Sequence, residues 1–190
     1  HNIGRIPIVE NGRLVGIVTR TDLIGARHHG AAGRDGAGQL LQRLPSSAKR
    51  VLGVAAEVAG AAPLYLVGGT VRDLMLGAGV KDLDLVVEGE SAERFGTRLQ
   101  ARLGGTLACH VDFGTCTLTL DDGVALDLAT AREESYARPG VLPDVTPSTL
   151  RKDLSRRDFS VNAIALRLQP LPHQLIDPFG GAADLEARQL

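Results

Sequence analysis

Leu66-Val-Gly-Gly-Thr-Val-Arg-Asp-Leu-Met-Leu-Gly77, with Lys81-Asp-Leu-Asp-Leu-Val86 close behind it, is the stretch from which the rest of the chain can be read. Leu64-Tyr-Leu-Val67 is a short apolar strand that runs into Gly68-Gly69 and then into a helix from about Thr70 to Leu76. Leu83–Val87 is a second strand. Asp82 and Asp84 stand two residues apart, and the period of two along a strand puts both carboxylates on one face. Like charges that close repel, so they tend to share a proton or hold a cation. Mg2+ takes a few carboxylates together with substrate phosphates, which makes the pair a natural platform for it. Taken alone, however, the pair fits an ordinary edge strand with its acids in water better than a metal site.

The glycines shift that balance. Gly68-Gly69 between strand and helix lets backbone N–H groups approach a phosphate, at a helix N-terminus that favours an anion. Arg72, one turn into the helix, can reach the same phosphates as a fork-shaped donor. The spacing is neither the G-x-G-x-x-G dinucleotide fingerprint nor a P-loop. A plain tight turn remains the other reading.

Outward from this stretch, helices and strands alternate. Ser46 or Ser47 caps a helix through about Ala61, and Ser91 caps another over Ala92–Leu103. Strands follow near Thr106–Cys109, Thr115–Leu120 and Val124–Leu128, the last two joined by Asp121-Asp-Gly123. Asp127, near the end of its strand, is a third acid that a neighbouring strand can bring beside Asp82 and Asp84. Three acids and two Mg2+ would align an attacking hydroxyl with an α-phosphate. A strand-end residue bonding local backbone is an equal alternative. Pro147 suits the first turn of a helix running toward Leu154, Ser160–Ala165 reads as helical, and a final strand and helix flank Asp177-Pro-Phe-Gly-Gly181.

Arg151, Lys152, Arg156 and Arg157 concentrate positive charge. Such a cluster is usually a solvated face, and here it also suits a triphosphate or an RNA backbone. Asp158 is expected to hold Arg157, and Asn162 to cap this segment or tie it to the sheet.

The chain has 190 residues, a 44% hydrophobic and 23% charged composition, and a net charge of −1. That is a globular balance, so any nucleic-acid contact must come from local basic clusters. Aromatics make up 3%, which leaves few rings for stacking bases. Cys109 and Cys116 form no disulfide framework and no zinc spacing, and read as buried or reduced thiols of a cytoplasmic protein. No apolar stretch is long enough to span a membrane, and no signal peptide opens the chain. The chain starts at His1 and stops within a predicted helix (Asp184–Leu190), so a piece of a longer protein is expected.

At the N-terminus, Arg5-Ile-Pro-Ile-Val9 and Leu14-Val-Gly-Ile-Val-Thr19 read as a hairpin around Asn11-Gly12, with a helix beginning near Thr21-Asp22. Residues 28–45 open with a Gly- and Ala-rich run and read as a flexible linker. His28-His29 lacks a third ligand nearby and is read as solvated linker.

Three segments in order resemble the class II tRNA nucleotidyltransferase and bacterial poly(A) polymerase family, of the DNA-polymerase-β-like superfamily. They are Leu66–Asp73 with Asp82-Leu-Asp84, Asp127-Leu-Ala-Thr-Ala-Arg-Glu-Glu-Ser-Tyr136, and Arg156-Arg-Asp-Phe-Ser-Val-Asn-Ala163. Ile176-Asp-Pro-Phe-Gly-Gly181 also fits. The resemblance implies an α+β head, over 46–190, with a mixed and roughly five-stranded sheet flanked by helices. Asp82 and Asp84 would bind Mg2+, with Asp127 as third carboxylate. Gly68, Gly69, Arg72 and Arg157 would meet the nucleotide. The implied reaction is attack of an RNA 3′-hydroxyl, most plausibly of tRNA, on the α-phosphate of ATP or CTP with loss of pyrophosphate. The base-selecting neck, the body and the tail would follow the head, so CCA, CC and A addition and poly(A) synthesis are not separable here.

Residues 1–27 resemble the last half of a CBS domain, a β-β-α unit, on Arg5–Val9 and Gly16-Ile-Val-Thr-Arg-Thr-Asp-Leu23. That resemblance implies an adenylate site at Thr19 and Asp22, and a homodimer through paired modules. A purely structural role for this half module is an equal reading. Two other functions stay in view. In one, CBS-type adenylate sensing is the main role and the head is inactive. In the other, the protein is an RNA-binding domain using Arg151–Arg157, with steep salt dependence and no need of magnesium.

Overall fold

The computed structural model describes residues 5–10, 12–19, 36–80, 82–135, 138 and 144–189. At the N-terminus β1 (Arg5–Glu10) and β2 (Arg13–Thr19) pair antiparallel as expected. Their side chains are described only at Val9, so the expected adenylate pair lies outside: Thr19 ends β2 with its side chain undescribed, and Asp22 is not among the described residues.

The main body is a seven-stranded sheet. Its strands are β3 (Leu64–Val67), β4 (Leu83–Val87), β5 (Thr106–His110), β6 (Thr115–Thr119), β7 (Ala125–Thr130), β10 (Ala165–Gln169) and β11 (Gln174–Ile176), in the order β11-β10-β3-β4-β7-β6-β5. Only β4 and β7 run parallel, and every other neighbouring pair is antiparallel. A separate two-stranded hairpin joins β8 (Arg132–Ser135) to β9 (Asp144–Pro147). The α+β class holds, with two more strands than the expected five. β10 is the unanticipated one, while β11 answers the final strand expected just before Asp177. Ser160–Ala165, expected to be helical, forms only a 3-10 turn at Ser160–Asn162 before β10 begins. Ala163–Leu166 is apolar without a break and buried on both faces, and such a run carries no period to tell strand from helix.

Helices cover one face of the sheet: α1 (Ala37–Gln42), α2 (Ser46–Ala59), α3 (Gly68–Leu76) and α4 (Ala92–Leu103). In α2 the buried residues Ala48, Val51, Leu52, Ala55, Val58 and Ala59 fall at helical spacing and make one stripe. In α4 Phe95 and Leu99 are fully buried, and Ser91 caps the first turn by accepting from Arg94 N at 3.2 Å. Gly96 is there for space. A Cβ on it would lie 3.1 Å from the methyls of Leu107 and of Leu128, so the missing side chain lets α4 settle on the sheet. Each fully buried Leu of this core, such as Leu66, Leu118 or Leu126, contributes roughly 2 kcal/mol.

Four local expectations are corrected. The linker expected over 28–45 does not reach Pro45: α1 folds within it, because Leu40 and Leu44 are buried in the core and Arg43 Nη1 donates to Leu74 O at 3.1 Å. Residues 28–35 lie outside the described residues. Pro147 does not open a helix. It ends β9 opposite Arg132, on a two-stranded edge that tolerates a residue without an N–H, and α5 (Leu150–Ser155) starts later, after Thr149. The helix expected from Thr70 begins at Gly68. Finally, Cys109 and Cys116 are not thiols. They face each other across the β5–β6 ladder and are joined as a disulfide, with Cys116 in the core.

The opposite face is only partly covered. There α5 packs Leu150 and Leu154 on Tyr65, Val67, Val86 and Ala131. Glu88, just past β4, ties down the start of that helix by accepting from Leu150 N at 3.1 Å. Beyond α5, toward β6 and β7, the face stays open.

Candidate active site

The open part of this face is a cleft of about 350 Å3, whose lining includes Val67, Asp84, Val86, Thr117, Asp127 and Arg157. Strand alternation decides which side chains reach it. In β7 Leu126 and Leu128 are buried beneath the helices while Asp127 between them is exposed. In β4 Leu83 and Leu85 are buried and Asp84 lies between them. The parallel register sets Asp84 directly beside Asp127, so two carboxylates from distant parts of the chain share one wall. Both are fixed from the side. Thr70 Oγ1 accepts from Asp84 N at 3.3 Å, and its single O–H has Asp82 O at 3.0 Å and Asp84 Oδ2 at 3.4 Å as alternative acceptors, while Thr117 Oγ1 donates to Asp127 Oδ1 at 2.6 Å.

Electrostatics mark Asp84 out. Burial pushes its carboxyl above the ordinary aspartate range, and the neighbouring charge of Asp127 adds to the push. Arg157 and the Thr70 hydroxyl oppose it, and Asp82 contributes least. The wall thus sets two like-charged carboxylates side by side, and its donors are hard oxygens.

Asp82 does not complete a trio. It precedes the first residue of β4, is exposed, and does not line the cleft. Among the described residues no group of three or more His, Cys, Asp or Glu is gathered to hold a metal ion.

The glycine turn lies between the acid wall and an arginine. Gly68 has φ 65°, which favours glycine, and a Cβ on it would lie 3.1 Å from Arg157 Nη1 and 3.8 Å from Asp84 Oδ2. Gly69 is packed against Arg72. Arg72 itself does not line the cleft: Nη1 donates to Asn162 Oδ1 at 2.7 Å and Nε to Asp73 Oδ1 at 2.9 Å. Asn162 thus ties its segment to α3, and its Nδ2 donates to Asp158 O.

Asp158 does not hold Arg157. That role falls to Asp153, which sequence reasoning passed over: Arg157 Nε and Nη2 donate to Asp153 Oδ2 at 3.0 and 2.8 Å. The only sequence signal was an acid four residues before Arg157, inside a run dominated by basic residues. The rest of the basic cluster is largely paired. Lys152 meets Glu133, and Arg156 meets Asp153 and Glu134. Arg151 lies over the ring of the exposed Phe179 at 5.9 Å.

An α+β head with paired acids on parallel strands, a glycine turn and a facing arginine defines a nucleotidyltransferase class of domain. More narrowly, the chain belongs to the family described as the poly A polymerase head domain, whose model matches residues 64–190. A CBS domain model matches residues 1–29. Both resemblances read from the sequence are thereby borne out. The chain is similar to the A-adding tRNA nucleotidyltransferase of Halalkalibacterium halodurans, 48% identical over 123 residues, or 64% of this chain and 29% of that protein. It is similar also to the CC-adding tRNA nucleotidyltransferase of Deinococcus radiodurans, 46% identical over 129 residues, 67% of this chain and 34% of that protein. Among solved structures, the Thermotoga maritima CCA-adding enzyme complexed with tRNA superposes with a TM-score of 0.68 at 37% identity, over 80% of this chain and 34% of that one. The chain spans about a quarter to a third of the length of the relatives it matches. No helix among the described residues is long and apolar enough to cross a membrane.

Proposed function

We propose that the protein adds nucleotides from ATP, CTP or both to an RNA 3′ end, that of tRNA above all, releasing pyrophosphate. The observation that carries this reading is the register of β4 on β7, which sets Asp84 beside Asp127 in a cleft that Arg157 also lines. The relatives named for adding A or CC to tRNA support tRNA as the acceptor and ATP or CTP as the nucleotides.

The oxygen donors fit Mg2+, which takes one or two carboxylates and completes its shell with substrate phosphates and water. When bound there, Mg2+ supplies charge stabilisation at the α-phosphate and lowers the pKa of the attacking hydroxyl. Asp84 and Asp127 would hold it, with Asp82 at the margin. Arg157 presents Nη1 beside the Gly68 turn, where it would meet the β- and γ-phosphates and fix the α-phosphate over the acids. Arg72 acts one step back, holding the Asn162 segment against α3.

The test uses the full-length protein with Mg2+, labelled ATP or CTP, and tRNAs ending before the CCA, after one C, and after two. Transfer that disappears in Asp84→Ala supports the proposal, and the accepted substrates separate CCA, CC and A addition. No transfer to these or to a generic RNA 3′ end overturns it. In that case ATP binding that Asp22→Ala abolishes and Asp84→Ala spares would favour adenylate sensing by the N-terminal unit.

A further inference from the structure

We propose that Asp153 is a positioning residue for nucleotide addition: from beneath the cleft it fixes the Arg157 guanidinium in the orientation that offers its free edge to the triphosphate. The inference rests on the function proposed above.

Asp153 is 0% exposed, and a carboxylate so placed persists only if it is neutralised and hydrogen-bonded. It receives four N–H donors from two guanidinium groups. Arg156 Nε and Nη2 reach Oδ1 at 3.1 and 2.6 Å, and Arg157 Nε and Nη2 reach Oδ2 at 3.0 and 2.8 Å. The spacings of three and four residues follow from the end of α5, where Arg157 N still donates to Leu154 O at 3.2 Å.

The division of labour is in the details. Arg157 spends Nε and Nη2 on one oxygen, a side-on grip that fixes the guanidinium plane and leaves Nη1 toward Gly68 and Asp84. Arg156 is answered a second time, by Glu134 Oε1 at 2.7 Å, and Glu134 also accepts from Arg132 Nη2 at 3.2 Å on β8. One buried carboxylate facing two guanidinium groups leaves an excess positive charge. Glu134 takes up the share on Arg156. The share on Arg157 faces the cleft, where the wall is acidic and a triphosphate would sit. A loose arginine on a short loop would reach the same phosphates only after losing side-chain freedom on binding, and the buried grip removes that loss beforehand.

The test is steady-state nucleotide addition by the full-length protein. Asp153→Asn keeps the volume and removes the charge, and is expected to raise the KM for ATP or CTP about tenfold or more, with a smaller change in kcat. Combined with Arg157→Ala, it is expected to add little to the KM of Arg157→Ala alone, since both act on one contact. Independent, multiplying effects would overturn the proposal, as would a loss confined to kcat. Asp153→Glu retains the charge and the fold if Asn does not, and displaces Arg157 by one methylene. It is expected to raise KM severalfold with Tm near wild type, and an unchanged KM would overturn the proposal. Should the wild type transfer no nucleotide at all, the proposed function fails by itself. The inference is then read from the Kd of ATP or CTP, which Asp153→Asn must weaken by a similar factor and must not leave unchanged.

Discussion

The two walls of the cleft are built by opposite means. Asp84 and Asp127 sit on neighbouring strands whose backbone hydrogen bonds fix the register, so the acid wall is held by the sheet itself. Arg157 lies past the end of α5, on no strand, and is held by one buried carboxylate. A side chain on the first wall can be exchanged without moving its neighbours. The second wall can be displaced by a change at a residue that never meets the substrate. On the function proposed above, the chemistry would fall to the rigid element, and the grip on the nucleotide to an element whose geometry depends on ion pairing.

The largest effect should come from the acid wall. Asp84→Ala is expected to lower transfer by about a thousandfold or more while circular dichroism and Tm show the fold intact. A protein that unfolds instead would mean that the wall is not held by register alone. Next comes the seam where the walls meet. Gly68→Ala forces a residue with a Cβ to φ 65° and brings that Cβ to 3.1 Å from Arg157 Nη1. It should cost about 1–2 kcal/mol of stability and raise nucleotide KM by roughly tenfold, because the clamp on Arg157 prevents the arginine from stepping aside. A normal KM would show that the basic wall is mobile.

A smaller effect separates the walls by pH. The carboxyl of Asp84 is raised, by burial first and by Asp127 second. A raised carboxyl contributes stability that is complete below the unfolded pKa and lost as pH rises through the folded one. Asp84→Asn should therefore stabilise the metal-free protein by a few degrees of Tm at neutral pH and give no advantage in acid. Mg2+ should raise the Tm of the wild type and do less for the variant. Equal Tm values at neutral pH would show that Asp84 is not strained by its neighbours.

The same contrast explains what the sequence disclosed. The β3-α3-β4 unit is legible because glycines, alternation and helix period all lie within one short stretch. The positions of Asp84 and Asp127 follow from alternation, but their meeting is a non-local pairing that no local pattern encodes: strand reasoning left it level with a local role for Asp127, and the family resemblance tipped the balance. Asp82 stands outside the cleft lining for a physical reason. The rule that i and i+2 share a face holds inside a ladder, and the ladder begins at Leu83. Asp153 was hidden because an acid among four basic residues reads as charge balance until its burial is known. β10 was hidden because a strand buried on both faces carries no period.

The weakest perturbation is also the sharpest probe of the acid wall. Thr117 is the register partner of Asp127 on β6, and its hydroxyl donates to Oδ1 at 2.6 Å. If register holds the wall, the hydroxyl only selects a rotamer of a side chain that already faces the cleft. A hydrogen bond to an exposed charged acceptor contributes about 0.5–1 kcal/mol net, so Thr117→Val, nearly isosteric and well suited to a strand, should lower transfer about two- to fivefold with nucleotide KM unchanged. A loss as large as that of Asp153→Asn would mean that Asp127, like Arg157, depends on a side-chain partner to point into the cleft. The difference between the walls would then be one of degree, and the sheet would supply the position of the acid but not its aim.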